Sequence, residues 1–403
     1  MNANVAVSPL RHILRYTPFR NLFLARFLTV LGNSVAPVAL AFAVLDIGGT
    51  AADLGLVVAA RSVFNVAFLL FGGVLADRYS RSLVLFSSSA VAACSQGVVA
   101  WLVLSGMATI PLLLPLSMIN GAAAGIALPA SSALVPQTVP AQRLRQANAF
   151  IQVGVYVGTV LGASLGGVMT SAIGPGWGLA VDALGFAIAA PLYFCIRTPY
   201  QPAGAPATLW QDLRDGWREF TARAWVWAVV AQFAVVNAAF TGMVMVLGPV
   251  IADTTFGRAS WGLMIAAQSV GLIIGSCIAL SWRPRRAMFI GVMMVAFCAV
   301  PILLLASGAA TPVLMGGFCL AGIGFGHFGV VWAHALQTHI PREKLARVYA
   351  YDAMGSFIAI PLGELAAGPL AMHFGNARVL WVCTGAVMIA SAITSRIRTV
   401  RQL

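Results

Sequence analysis

The sequence predicts an all-α membrane protein: twelve transmembrane helices in two pseudo-symmetric six-helix bundles. Three observations carry that prediction. The first is composition. The chain has 403 residues, 60% hydrophobic and 9% charged, with a mean hydropathy of +0.91; a soluble domain carries about 25% charged residues. The second is segmentation: twelve stretches approach the roughly 20 apolar residues that a spanning helix needs. The third is the placement of charge. The net charge of +13 lies in alternate gaps between the stretches, which argues against a nucleic-acid surface and for membrane topology.

Taken in order, the first twenty residues carry Arg11, Arg15 and Arg20 and no apolar core followed by a cleavage site. No cleaved signal peptide is expected, and span one (21–45) acts as its own insertion signal. Span two (54–76) runs into the charged turn GGVLADRYSRSLVL, where Asp77, Arg78 and Arg81 fall within five residues. Spans three (83–105) and four (110–135) are followed by Arg143 and Arg145, and spans five (147–171) and six (177–196) by Arg197. Residues 197–224 form a linker that opens on Pro, Ala and Gly. Leu209, Leu213, Trp217 and Phe220 then recur at helical spacing, as in an amphipathic helix on the membrane surface. Spans seven (225–251) and eight (260–282) precede Arg283, Arg285 and Arg286. Spans nine (287–306) and ten (311–336) precede Arg342, Lys344 and Arg347. Spans eleven (349–373) and twelve (378–396) end the chain with Arg396, Arg398 and Arg401.

With Arg78, Arg81 and the linker arginines, 20 of the 24 basic residues fall on one side, against Arg258 and Arg378 on the other. The expectation is both termini in the cytoplasm. The domains are then 1–196, a six-helix bundle; 197–224, the cytoplasmic linker; and 225–403, a second bundle. A shift of 201 residues supports duplication. It lays Gly154 on Gly355, Leu161 on Leu362, Gly162 on Gly363, Gly167 on Gly368 and Pro140 on Pro341. Parallel repeats of this kind place a substrate cavity near the bilayer midplane.

Six cysteines all lie in apolar stretches without metal-ligand spacing, so they read as small core residues and no metal or cofactor is expected. No P-loop, HExxH or nucleophile motif is present, so an enzyme is not expected and ATP is not the energy source.

The twelve spans together with GGVLADRYSR between spans two and three resemble the major facilitator superfamily. Gly73, Asp77, Arg78 and Arg81 match its loop pattern, with Ser80 and Ser82 replacing a glycine and a basic residue. Span five, VGVYVGTVLGASLGGVM, resembles the antiporter motif of that superfamily through Gly154, Gly158, Gly162, Gly166 and Gly167, with Ala163 where the motif has proline. The runs ARSVFNVAFLLFGGVLADR, GPGWGLAVDALGF and HALQTHIPREKLARVYAYD are similar to bacterial exporters of the enterobactin-exporter and macrolide-efflux kind. The resemblance implies a loop latch that holds one conformation, spans five and eight packed across the halves, and spans two and eleven facing each other.

Ionisable residues inside spans are functional candidates. Arg61 and Glu364 lie at similar depth in spans two and eleven. They are expected to pair when the outside is closed, with Glu364 a candidate proton carrier. Arg26 and Asp182 are further coupling or gate candidates, Arg26 close enough to the span-one end to reach water. Asp46 and Asp53 are expected to be solvated, and Asp352 to cap span eleven. Asn33, Asn120, His327, Trp332 and His334 are candidate cavity residues. Span four lacks the buried arginine that many proton antiporters of the superfamily carry; Asn120 is the strong polar group of LSMINGAAAG.

The reading is a monomeric transporter in the bacterial inner membrane. It would export a small amphipathic compound (drug, siderophore or secondary metabolite) in exchange for protons, with the lipid bilayer and the small molecule as partners and no nucleic acid. An importer or facilitator of a metabolite stays open on the same fold. A non-transporting membrane sensor would need an added soluble domain or a long tail.

Overall fold

In a computed structural model, every predicted span is a helix, and there is no β-strand among the described residues. The structure describes residues 13–196, 217–282, 284–340 and 342–403. The spans are Thr17–Asp46, Ala51–Leu69, Arg81–Leu104, Ile110–Gln137, Gln146–Ala172, Pro175–Phe194, Ala224–Thr254, Arg258–Ser281, Ala287–Ala306, Thr311–His339, Tyr351–Phe374 and Asn376–Arg396. Span two continues as helix to Arg78. Its start is a reciprocal capping box. The Thr50 backbone N–H donates to Asp53 Oδ2 at 2.8 Å, and the Asp53 N–H donates to Thr50 Oγ1 at 3.2 Å. Span six begins with Pro175 directly after Gly174, whose φ of +93° only glycine adopts without strain.

Three spans are irregular in their interior, each just before a proline. A proline lacks the N–H that would bond the carbonyl four residues earlier. Pro249 releases Met245, and Met243–Leu247 winds as a π-helix. Pro301 releases Phe297, and Ala296–Cys298 tightens to a 3₁₀ turn. Pro361 releases Phe357, where one helix ends before the next starts at Ala359.

The chain forms two compact units, Met1–Ala43 with Ala60–Gly204, and Val44–Ala59 with Ala205–Leu403. The hairpin tip between spans one and two thus belongs with the second unit. Of the predicted surface helix, Leu209 and Leu213 lie outside the described residues. Trp217 and Phe220 stack at 5.8 Å, and both rings meet Tyr351 of span eleven.

Glycines set the helix contacts in each unit, and they do so twice over. A side chain on Gly121 of span four would strike the Arg61 carbonyl, and one on Gly125 the Asn65 carbonyl. In the second unit, Gly322 and Gly326 of span ten meet the Gln268 and Leu272 carbonyls of span eight in the same way. Gly154 and Gly162 of span five lie against Phe23 and Leu31 of span one, while Gly355 and Gly363 of span eleven lie against Val230 and Ala238 of span seven. Equivalent residues are 201 apart in spans four and five, and 207 apart in spans one and two. These matched backbone contacts extend to atoms the duplication read from the sequence.

Valine at Gly121 or at Gly322 should therefore destabilise alike, by about 1–3 kcal/mol or more, because the obstacle is backbone that cannot rotate away. Melting of the purified variants in detergent checks this. A neutral outcome at one site of the pair would break the equivalence.

Candidate functional site

The first unit carries a polar centre inside an apolar bundle. Arg61, on span two, donates from Nε to Asn120 Oδ1 of span four at 2.8 Å, and from Nη2 to Asn33 Oδ1 of span one at 3.0 Å. Asp182, on span six, is fully buried and accepts a hydrogen bond at 2.7 Å from Gln96 Nε2 of span three. The charge of Arg61 reaches Asp182. Gly32 makes room for the carboxylate: a side chain there would fall 2.6 Å from Asp182 Oδ1. Five helices are thus tied through one cluster, and its members compensate one another where water is scarce. Among the described residues, Asn120 Nδ2 and Asp182 Oδ1 have no hydrogen-bond partner.

Beside this cluster lies a cavity of about 340 Å³, lined among others by Arg26, Arg61, Asn33, Asn65, Ser131 and Tyr193. Arg26 is half-buried there. Thr29 Oγ1 donates to the Arg26 carbonyl at 3.0 Å, and the Arg26 charge acts on the Tyr193 hydroxyl.

The loop after span two is held by a different bond. Arg81 Nη1 donates to the Ala133 carbonyl, at the end of span four, at 2.6 Å. Gly72 lets span two approach the Gly125 and Ile126 backbone. Arg78 is exposed. The surroundings of Gly73 and of the Asp77 side chain lie outside what the structure describes. Gly154, Gly158, Gly162 and Gly166 of span five turn toward span one, at Phe23, Phe27, Leu31 and Val35; Gly167 is buried. The small residues of span eight meet span ten, with Gly271 against Cys319 and Gly275 against Ile323.

In the second unit Glu364 is 2% exposed, and its backbone carbonyl lies against Gly55 of the hairpin tip. His327 is fully buried, neither ring nitrogen has a hydrogen-bond partner among the described residues, and its ring lies 6.0 Å from Trp282. His334 is exposed. Trp332 is buried and donates from Nε1 to Asp352 Oδ2 at 2.9 Å. Asp352 therefore does not cap a helix. Its helix starts ten residues earlier, at Arg342, and the carboxylate serves span ten instead.

Asp46 also departs from expectation. It is not merely solvated: Arg258 holds it through both terminal nitrogens, Nη1 to Oδ2 at 3.0 Å and Nη2 to Oδ1, while Arg258 Nε donates to Asp253 Oδ1 at 2.7 Å. Sequence reasoning missed this triad, and it missed Gln96 and Asn65. Arg258, one of only two basic residues assigned to that side of the spans, was the available signal for the triad. Asp53, expected only to be solvated, is tied into the Thr50 capping box as well.

Known proteins share this architecture. The Major Facilitator Superfamily model matches residues 22–364. The enterobactin exporter EntS of Escherichia coli O1:K1 / APEC is 27% identical over 368 residues, covering 86% of this chain and 85% of that protein. The nucleoside transporter NupG superposes with a TM-score of 0.72 at 15% identity, over 94% of this chain and 98% of that one. A bacterial homologue of the human lysosomal transporter Spinster, inward-facing and unoccupied, gives 0.75 at 16%, over 94% and 97%. At such identities the solved structures speak for the fold.

Proposed function

The chain belongs to the Major Facilitator Superfamily, and from that premise we propose that it exports a small amphipathic compound across the bacterial inner membrane in exchange for protons, by alternating access. Transport across a membrane is the family's business; direction, cargo and coupling are the proposal. The observation that carries it is the polar centre of the first unit. A guanidinium and a carboxylate are kept inside a bundle where each is costly, and such groups mark ion or substrate pathways. The likeness to a named exporter over most of the chain supports the outward direction. The basic residues put both termini in the cytoplasm in this reading. Two buried carboxylates, Asp182 and Glu364, are the candidates for the proton.

Proteoliposomes with an imposed pH gradient test this with fluorescent lipophilic compounds. Gradient-driven movement is expected in the native protein and is expected to fall at least tenfold in Asp182→Asn or in Glu364→Gln; whichever variant fails identifies the carrier. Movement that ignores the gradient in the native protein would replace the antiporter by a facilitator.

A further inference from the structure

The duplication makes the cavity informative. Equivalent positions in the two units carry different side chains, small or polar around the cavity of the first and aromatic in the second. With the offsets established by the glycine contacts, Arg26 corresponds to Phe233, Asn33 to Phe240, Ala124 to Phe325, Ala127 to Phe328 and Ser131 to Trp332. In the second unit those five aromatic rings pack on one another. Phe233 lies 4.6 Å from Phe328 and 6.2 Å from Phe325, Phe240 lies 5.4 Å from Phe325, and Phe328 stacks on Trp332 at 5.8 Å. In the first unit the same five positions carry a guanidinium, an amide, two alanines and a serine around about 340 Å³. The fold does not require small side chains at these positions, since its own second copy carries aromatic rings there. A cavity that a repeat could have closed, and that is polar instead, has the character of a binding site.

Its charge states what it binds. Two guanidiniums, Arg26 and Arg61, line the cavity, and no Asp or Glu lines it among the described residues. Asp182 is not among the lining residues and takes its hydrogen bond from Gln96. Arg61 is committed to Asn33 and Asn120. The Arg26 guanidinium makes no hydrogen bond or ion pair among the described residues; its charge acts on the Tyr193 hydroxyl. A guanidinium left half-buried in a bilayer-spanning bundle is costly unless something arrives to pair with it.

We propose that this cavity is an anion site: it takes the carboxylate of a small aromatic or aliphatic acid, with Arg26 as the pairing cation and the alanine side of the cavity receiving the apolar body. This rests on the transporter reading only in naming the cargo as an acid; the binding itself stands apart from it. The volume suits a ring bearing one carboxylate, because a dry cavity of roughly 150 Å³ already admits benzene. A planar guanidinium matches a carboxylate through two parallel N–H···O bonds, which an ammonium does not reproduce.

The test is binding of benzoate to the purified full-length protein by calorimetry, beside benzamide and benzylamine as neutral and cationic forms of the same shape. Benzoate is expected to bind, benzamide at least tenfold more weakly, and benzylamine not at all. Arg26→Gln should lose benzoate binding at least tenfold. Ser131→Trp, which places in the first unit the residue that the second carries there, should lose it with Arg26 intact. Two variants guard against misfolding of either one, and both must elute as the native protein does. Equal affinity for benzamide, unchanged binding in Arg26→Gln, or no benzoate binding at all would overturn the proposal. The two readings fail separately. Gradient-driven movement of neutral compounds without benzoate binding leaves the exporter and removes the anion site; benzoate binding without gradient-driven movement does the reverse.

Discussion

Replacing Arg61 with methionine should abolish transport and destabilise the first unit by several kcal/mol. Methionine keeps an unbranched apolar stem but supplies no donor. The Asn33 and Asn120 oxygens then lose their bonds, and each buried acceptor left without a donor costs about 1–3 kcal/mol. Asp182 simultaneously loses its cation while keeping only the Gln96 bond. Lysine at the same position should be intermediate: it retains charge, but a point ammonium cannot reach two separated amides in the geometry of a planar fork. A double-mutant cycle isolates the charge. In the Arg61→Met background, Asp182→Asn should restore part of the stability, because it removes a buried carboxylate without its cation; coupling of about 0.5–3 kcal/mol is the usual range for residues in one network. Thermal melting of the four proteins reads this directly. Strict additivity would mean that Asp182 and Arg61 act independently, and the polar centre would no longer be one unit.

Reversing the charge at Arg258 should open the end of the second unit where the hairpin tip sits. Arg258 grips Asp46 with two nitrogens and Asp253 with a third, so Arg258→Asp would gather three carboxylates in one place. These side chains are 22–39% exposed, and a single exposed pair contributes only about 0.2–1 kcal/mol. That is still enough to matter. A transporter that alternates holds two states separated by a few kcal/mol, and about 1.4 kcal/mol is a tenfold change in their ratio. Steric fit reinforces the charge: Gly55 lies against the Glu364 carbonyl and Gly368 against the Ala51 carbonyl, so the tip is seated by backbone as well as by ions. Spin labels at Ile47 and Thr255 in a cysteine-free background measure the separation. Arg258→Asp should lengthen the distribution, and the swap Asp46→Arg with Arg258→Asp should shorten it again. An unchanged distribution would make the triad a passive surface feature.

The amino-acid sequence alone determined the helices and their ends. Apolar length set the spans, Pro249, Pro301 and Pro361 set the irregular turns, and the Thr50–Asp53 box set the start of span two. The proline and capping effects act over four residues or fewer, and the duplication was legible because glycine spacing repeats. Partners were not legible. Arg61 finds Asn120 at a separation of 59 residues, Gln96 finds Asp182 at 86, and Arg258 finds Asp46 at 212. Asp352, expected as a cap, answers Trp332 instead. In a soluble protein, alternation of polar and apolar residues tells which face turns inward. In a membrane the lipid is as apolar as the core, so hydrophobicity no longer marks the buried face. Span five shows the consequence. Its glycine face was plain in the sequence, but that it lies on span one was decided by the packed bundle, where a missing side chain is recognised only by the backbone that comes to occupy its place.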